Sequence, residues 1–131
     1  MKKLCFILPF VALMSCAPIQ AAKPTLYRAD SADILAAVAK GCPTVLLNGL
    51  YDYFRVSAVT PTAVTCVTTP VAAFQVLLGS VPVSMTFMAT QNGQVSAVTG
   101  ILYRDKPADN DRDPVSTIFL ALDKAYNRVP Y

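Results

Sequence analysis

The spacing of apolar positions changes character along the chain. Residues 4–14 form an apolar run interrupted only by Pro9. Residues 31–40 carry Ile34, Leu35 and Val38 at helical spacing, behind Asp30 as an N-terminal cap and with Asp33 near the positive end of the dipole. Gly41 stands where a left-handed turn would close that helix.

From residue 43 to 104 the punctuation becomes that of a sheet. Asn48-Gly49, Pro61, Pro70, Gly79-Ser80 and Asn92-Gly93 are turn signals spaced about every ten residues, the rhythm of an antiparallel meander. Both Asn-Gly pairs are predicted to turn hairpins, because Asn tolerates positive φ and Gly adopts it freely. Residues 71–78 admit two readings. Thr69-Pro70 can open a helix on which Val71, Phe74 and Leu78 share a face, but register favours a strand. A two-residue turn at Gly79-Ser80 sets Leu78 opposite Val81, Phe74 opposite Met85 and Ala72 opposite Phe87. The Asn92-Gly93 turn then sets Phe87 opposite Val98 and Met85 opposite Gly100, extending one apolar face.

After a polar, acidic stretch at 105–113, Asp113 and Pro114 form a cap and first position for the clearest helix of the chain. Val115, Ile118, Phe119, Leu122, Ala125 and Tyr126 make its apolar stripe, and Lys124 and Arg128 lie near its negative end. That stripe must be buried. The expected fold is α+β: a curved antiparallel meander sheet of five or six strands, with a short N-terminal helix and a C-terminal amphipathic helix packed on it.

The apolar run at 4–14 follows Lys2 and Lys3 and is too short for a bilayer span, which needs about 20 residues, so it reads as the core of an export signal. Two processing sites follow. Leu13-Met14-Ser15-Cys16 resembles the lipobox of bacterial lipoproteins, and the resemblance implies an acylated Cys16 as the first mature residue. Ala17 rather than Asp follows it, which implies transfer to the outer membrane, facing the periplasm. Ile19-Gln20-Ala21 resembles an ordinary signal-peptidase site and leaves a soluble periplasmic or secreted chain. The lipobox is favoured, because a Cys at the end of the apolar core then has a purpose. The organisation expected is a signal at 1–15 (or 1–21), a tether at 16–24 and one globular domain at 25–131.

Charge and composition narrow the chemistry. The chain has 131 residues, 11 Lys and Arg, 8 acidic residues that are all Asp, and no His, Glu or Trp. Without Lys2 and Lys3 the balance falls to nine against eight, and the basic residues are interleaved with Asp, so nucleic acid is not expected as a partner. Without His there is no histidine-centred triad and no ordinary zinc site. The nucleophiles are Ser, Thr and Tyr without an imidazole base, so no catalytic residues, cofactor or metal are expected. Asp109, Asp111 and Asp113 resemble the first half of a calcium loop, but Pro114 and Leu120 occupy the positions that need Gly and a bidentate Glu. They read as a solvated loop whose final Asp caps a helix.

Cys5 lies in the signal and Cys16 is lipidated or lost. Cys42 and Cys66 remain to close a disulfide in an oxidising compartment, 23 intervening residues ruling out a Cys-x-x-Cys redox pair. The richest candidate for binding is Tyr51, Tyr53 and Arg55, expected on one exposed face of a strand whose other face carries Leu50, Phe54 and Val56. The reading that follows is a non-catalytic envelope lipoprotein, an accessory or adaptor that binds other envelope proteins, suited to a secretion, pilus or conjugation apparatus. Homo-oligomerisation is compatible with it. In order, a short helix followed by a Cys opening one strand and a Cys ending another resembles the glycan-binding B subunits of secreted bacterial toxins. A sheet gripping a C-terminal helix is similar to helix-grip carriers of apolar ligands. These stand as the alternatives, the carrier the more remote.

Overall fold

The computed structural model describes residues 23–75, 82–104 and 112–130. The expected signal, Cys16, the Gly79-Ser80 turn, Asp109 and Asp111 lie outside the described residues. The architecture is α+β: an open five-stranded antiparallel sheet with two helices. The strands are β1 (Thr25–Tyr27), β2 (Arg55–Val59), β3 (Ala63–Thr68), β4 (Val83–Asn92) and β5 (Val95–Tyr103); the helices are α1 (Ser31–Gly41) and α2 (Pro114–Ala125). The sheet order is β1-β5-β4-β3-β2, so the last four strands form the expected meander and β1 adds beside β5. Among the described residues no helix is long and apolar enough to cross a membrane.

Membership of the sheet differs from the expectation in three places. Residues 72–74 form a 3₁₀ turn rather than a strand, so β4 pairs with β3, setting Cys66 opposite Met85 and Val64 opposite Phe87. Pro70 and the following turn deprive 71–75 of a ladder, and the pairing that register favoured passes to β3. Asn48-Gly49 does not turn a hairpin. The buried Asn48 side chain accepts from the Leu50 N–H at 2.8 Å, a local turn that competes with strand pairing. The β4–β5 hairpin is present but displaced by two residues: Asn92 pairs with Val95, Phe87 with Gly100 and Met85 with Leu102. Gly93, at φ 66°, occupies the first central position, and Gln94 has no positive φ, so the turn follows the II′ pattern rather than I′.

Both helices cover one face of the sheet. Asp113 caps α2, accepting from the Ser116 N–H at 3.1 Å and from its hydroxyl at 2.7 Å, with Pro114 in the first turn. Ile118 and Leu122 are buried against the sheet, and Phe119 meets Phe87 edge-on with centroids 5.8 Å apart. Ile34, Leu35 and Val38 of α1 complete the core. Asp30 makes no side-chain cap on α1. The cap comes from β4 instead: Gln91 accepts from the Ser31 N–H at 2.9 Å and donates to Asp30 Oδ1 at 2.9 Å. Gly41 adopts right-handed backbone, and α1 runs on into a 3₁₀ turn, Cys42–Thr44. Its small size serves packing, since a Cβ there would lie 3.1 Å from Ile118 Cδ1 of α2.

Cys42 and Cys66 form the expected disulfide, with both residues fully buried. The bridge ties the end of α1 to the middle of β3. Cys42 therefore opens a 3₁₀ turn rather than a strand.

Candidate binding surface

Tyr51, Tyr53 and Arg55 do not share a face. The segment between the Asn48 turn and β2 is held on both sides by backbone bonds: Phe54 N–H to the Val45 carbonyl at 3.1 Å, Asp52 N–H to Thr69 at 3.0 Å, and Val71 N–H to Leu50 at 2.9 Å. The Thr68 hydroxyl also donates to the Asp52 carbonyl. Held this way, the segment buries Tyr51 and Phe54 and exposes Asp52 and Tyr53 between them, a spacing of three where a flat strand has two. Tyr51 is 9% exposed and belongs to the core, and the Arg104 guanidinium lies 5.1 Å from its ring centroid in a cation–π contact. The patch expected from strand alternation thus loses Tyr51 to packing.

What remains accessible is Tyr53 at 58% exposure and β2 itself, whose five side chains are all exposed. Arg55 opens the strand. Val56 and Val59 add apolar surface that the sequence reading missed, the latter 63% exposed. The signal for them was faint: 56–60 is a run of Val, Ser, Ala and Thr without a single charge. β2 is the outermost strand on its side, and its register shifts between Val56 and Ala58. Such a bulge twists an edge and discourages indiscriminate pairing.

The opposite edge is closed. Residues 127–129 run along β1, the Val129 N–H donating to Leu26 at 2.8 Å and the Arg28 N–H to Asn127 at 2.9 Å. Asp123 secures this closure. Its carboxylate accepts from the buried Tyr27 hydroxyl at 2.7 Å and from Arg128 Nε and Nη2 at 2.6 and 2.9 Å. The Arg128 contact holds the Asp123 carboxyl below the usual carboxylate range. Burial, reinforced by Asp123, pushes the Tyr27 phenol well above the usual tyrosine range. An open hollow of about 360 Å³ beside this edge is lined by Thr25, Leu26, Arg128, Val129 and Pro130.

The other described carboxylates with assigned contacts are structural: Asp113 caps α2 and Asp30 accepts from Gln91. Among the described residues no group of three His, Cys, Asp or Glu side chains converges on a metal position. No protein-family model, curated protein or solved structure matches the chain.

Proposed function

We propose that this chain is a non-catalytic cell-envelope lipoprotein, an adaptor anchored through an acylated Cys16 that presents a small disulfide-closed domain to other envelope proteins. The observation that carries the address is the buried Cys42–Cys66 bridge, because disulfides persist in oxidising compartments and small exported domains rely on them. The short apolar run ending in Leu13-Met14-Ser15-Cys16 supports the anchor. The contact surface in this reading is Tyr53, just before β2, with Arg55, Val56 and Val59 of that edge strand, accessible aromatic, Arg and apolar groups close together in the chain. A glycan-binding subunit assembled into a ring through its sheet edges ranks second, since such a ring needs two open edges and β1 already carries residues 127–129.

Two measurements test the proposal. Intact-mass analysis of the envelope fraction should find a chain beginning at Cys16 with acyl mass. A start at Ala22 without lipid removes the anchor. Tyr53→Ala combined with Arg55→Ala should abolish capture of envelope partners while stability stays within about 1 kcal/mol, as surface changes do. Undiminished capture by that folded variant refutes the surface.

A further inference from the structure

The helices cover one face of the sheet, and the other face of its three long strands carries no charged side chain. On β3, β4 and β5 every position pointing away from α1 and α2 is Ala, Val, Ser, Thr, Met, Asn, Ile or Tyr. Near its middle lie Thr65, Thr86 and Ile101, with Met88, Thr99 and Tyr103 around them. Met88 is 49% and Tyr103 55% exposed. A solvated sheet face ordinarily alternates charged or strongly polar residues outward. Among the described residues the charged side chains lie on loops, turns and helices, Arg55 of β2 excepted. Absence of charge and exposed Met and Tyr are two features this face shares with the centre of a protein interface.

We propose that this uncovered sheet face is where a second copy of the chain packs, sheet against sheet. The inference is independent of the lipid anchor and of the β2 contact surface. Its area suits a dimer. With β1 and β2 counted as its rim, five strands of three to ten residues, rising about 3.3 Å per residue and about 4.8 Å apart, present roughly 500 Å² per copy, hence about 1,000 Å² for the pair, the threshold for a specific interface. Two of its threonines are prepared for burial. Thr65 and Thr86 bond hydroxyl to hydroxyl at 3.0 Å across β3 and β4, which satisfies these polar atoms within the sheet.

A second copy is also the electrostatically suitable occupant. Neither copy brings a charge to the middle of the contact, whereas a charged partner would leave its own ions desolvated and unpaired there. The one basic side chain facing this side from an outer strand is Arg55, whose pairing with Val67 puts it on β2 at the rim. A two-fold axis along the strands at the sheet's centre carries it to the opposite rim, away from its copy. The resulting packing is that of a sandwich, with sheets about 10 Å apart and crossed by about 30°.

Sedimentation of the purified, processed chain between about 1 and 200 µM should show a mass rising from one copy to two and stopping there. Thr86→Lys puts an ammonium at the centre of the face and should raise the dimer dissociation constant by about 100-fold or more. Val59→Lys, on the β2 edge, should leave the dimer intact. Circular dichroism and the thermal midpoint verify folding, and Met88→Lys, at a half-exposed position, replaces Thr86→Lys if that variant does not fold. A monomer throughout the range overturns the proposal, as does a larger closed ring. A dimer broken by Val59→Lys and not by the face variants also overturns it, placing the contact at the edge.

Discussion

Gly100 lies in β5 opposite Phe87, beneath the first turn of α2, and offers the sharpest test of how the helix seats on the sheet. A Cβ at this position would stand 2.7 Å from Phe87 Cε2 and 2.7 Å from Val115 Cγ1. Ordinary carbon contacts are about 3.5–4.0 Å, so Gly100→Ala creates overlaps of about 1 Å in two directions at once. The Phe87 ring is fully buried and engaged edge-on with Phe119, so it cannot withdraw without disturbing that pair. Val115 can withdraw only if α2 lifts. Overpacking of this kind costs about 1–3 kcal/mol, while replacing a strand glycine by alanine returns about 0.5–1 kcal/mol of unfolded-chain entropy. The net expectation is a loss of about 1–2 kcal/mol, a fall in Tm of roughly 5–10 °C for a domain of this size. Urea denaturation of the oxidised protein measures it. Val115→Ala removes one of the two overlapping methyls, so the double variant Gly100→Ala/Val115→Ala should lose less stability than the two single losses added, by at least about 0.5 kcal/mol. An alanine variant as stable as the parent, or strict additivity, refutes this account of the close approach.

The loop closed by Cys42 and Cys66 has a sequence separation of 24, for which the chain-entropy model gives about 3.5 kcal/mol. Replacing both cysteines by Ala should lower the urea midpoint accordingly, and a reductant should then have no further effect on the variant. Stability should also depend on pH at both extremes through the Tyr27–Asp123–Arg128 cluster. Because Arg128 depresses the Asp123 pKa, that contribution is complete above about pH 4 and fades as pH falls through the folded value. Because burial raises the Tyr27 pKa, its contribution is complete below about pH 10 and is lost as pH rises further. Asp123→Asn should flatten the acid limb in chemical denaturation across pH; an unchanged limb contradicts the assignment. Finally, Gln91→Ala should cost about 0.5–2 kcal/mol by uncapping α1, and Asp30→Ala less, since the Ser31 N–H is held by Gln91. The reverse ranking in thermal unfolding would restore Asp30 as the cap.

Local signals in the sequence determined the helices and the chemistry of the pair that staples α1 to the sheet. Asp113, Pro114 and the stripe through Ile118 and Leu122 specify α2 without reference to anything distant, because caps and helical spacing act within a few residues. Alternation likewise determined which residues of β4 and β5 face the core. The hairpin is displaced by two residues from its expected register, yet Met85, Phe87 and Val98 are all buried, since a slip of two leaves every side chain on its own face.

What local reasoning could not determine were choices made between distant segments. Whether β4 pairs with 71–78 or with β3 depends on which partner offers a full ladder, and Pro70 with the 3₁₀ turn decides for β3. The cap of α1 comes from Gln91, sixty residues from Ser31 in sequence, and no cap pattern reaches that far. Tyr51 was expected on a surface because alternation from Phe54 and Val56 was extended backward through residues that are not in a strand. Once bonds to Val45, Thr69 and Val71 hold 50–54, burial goes to Tyr51 and Phe54 and exposure to Tyr53, and Arg104, far along the chain, closes over the Tyr51 ring. The uncharged sheet face also exists only in three dimensions. Each strand shows a few unremarkable Thr and Ala positions, and only side-by-side pairing of β3, β4 and β5 assembles them into one surface.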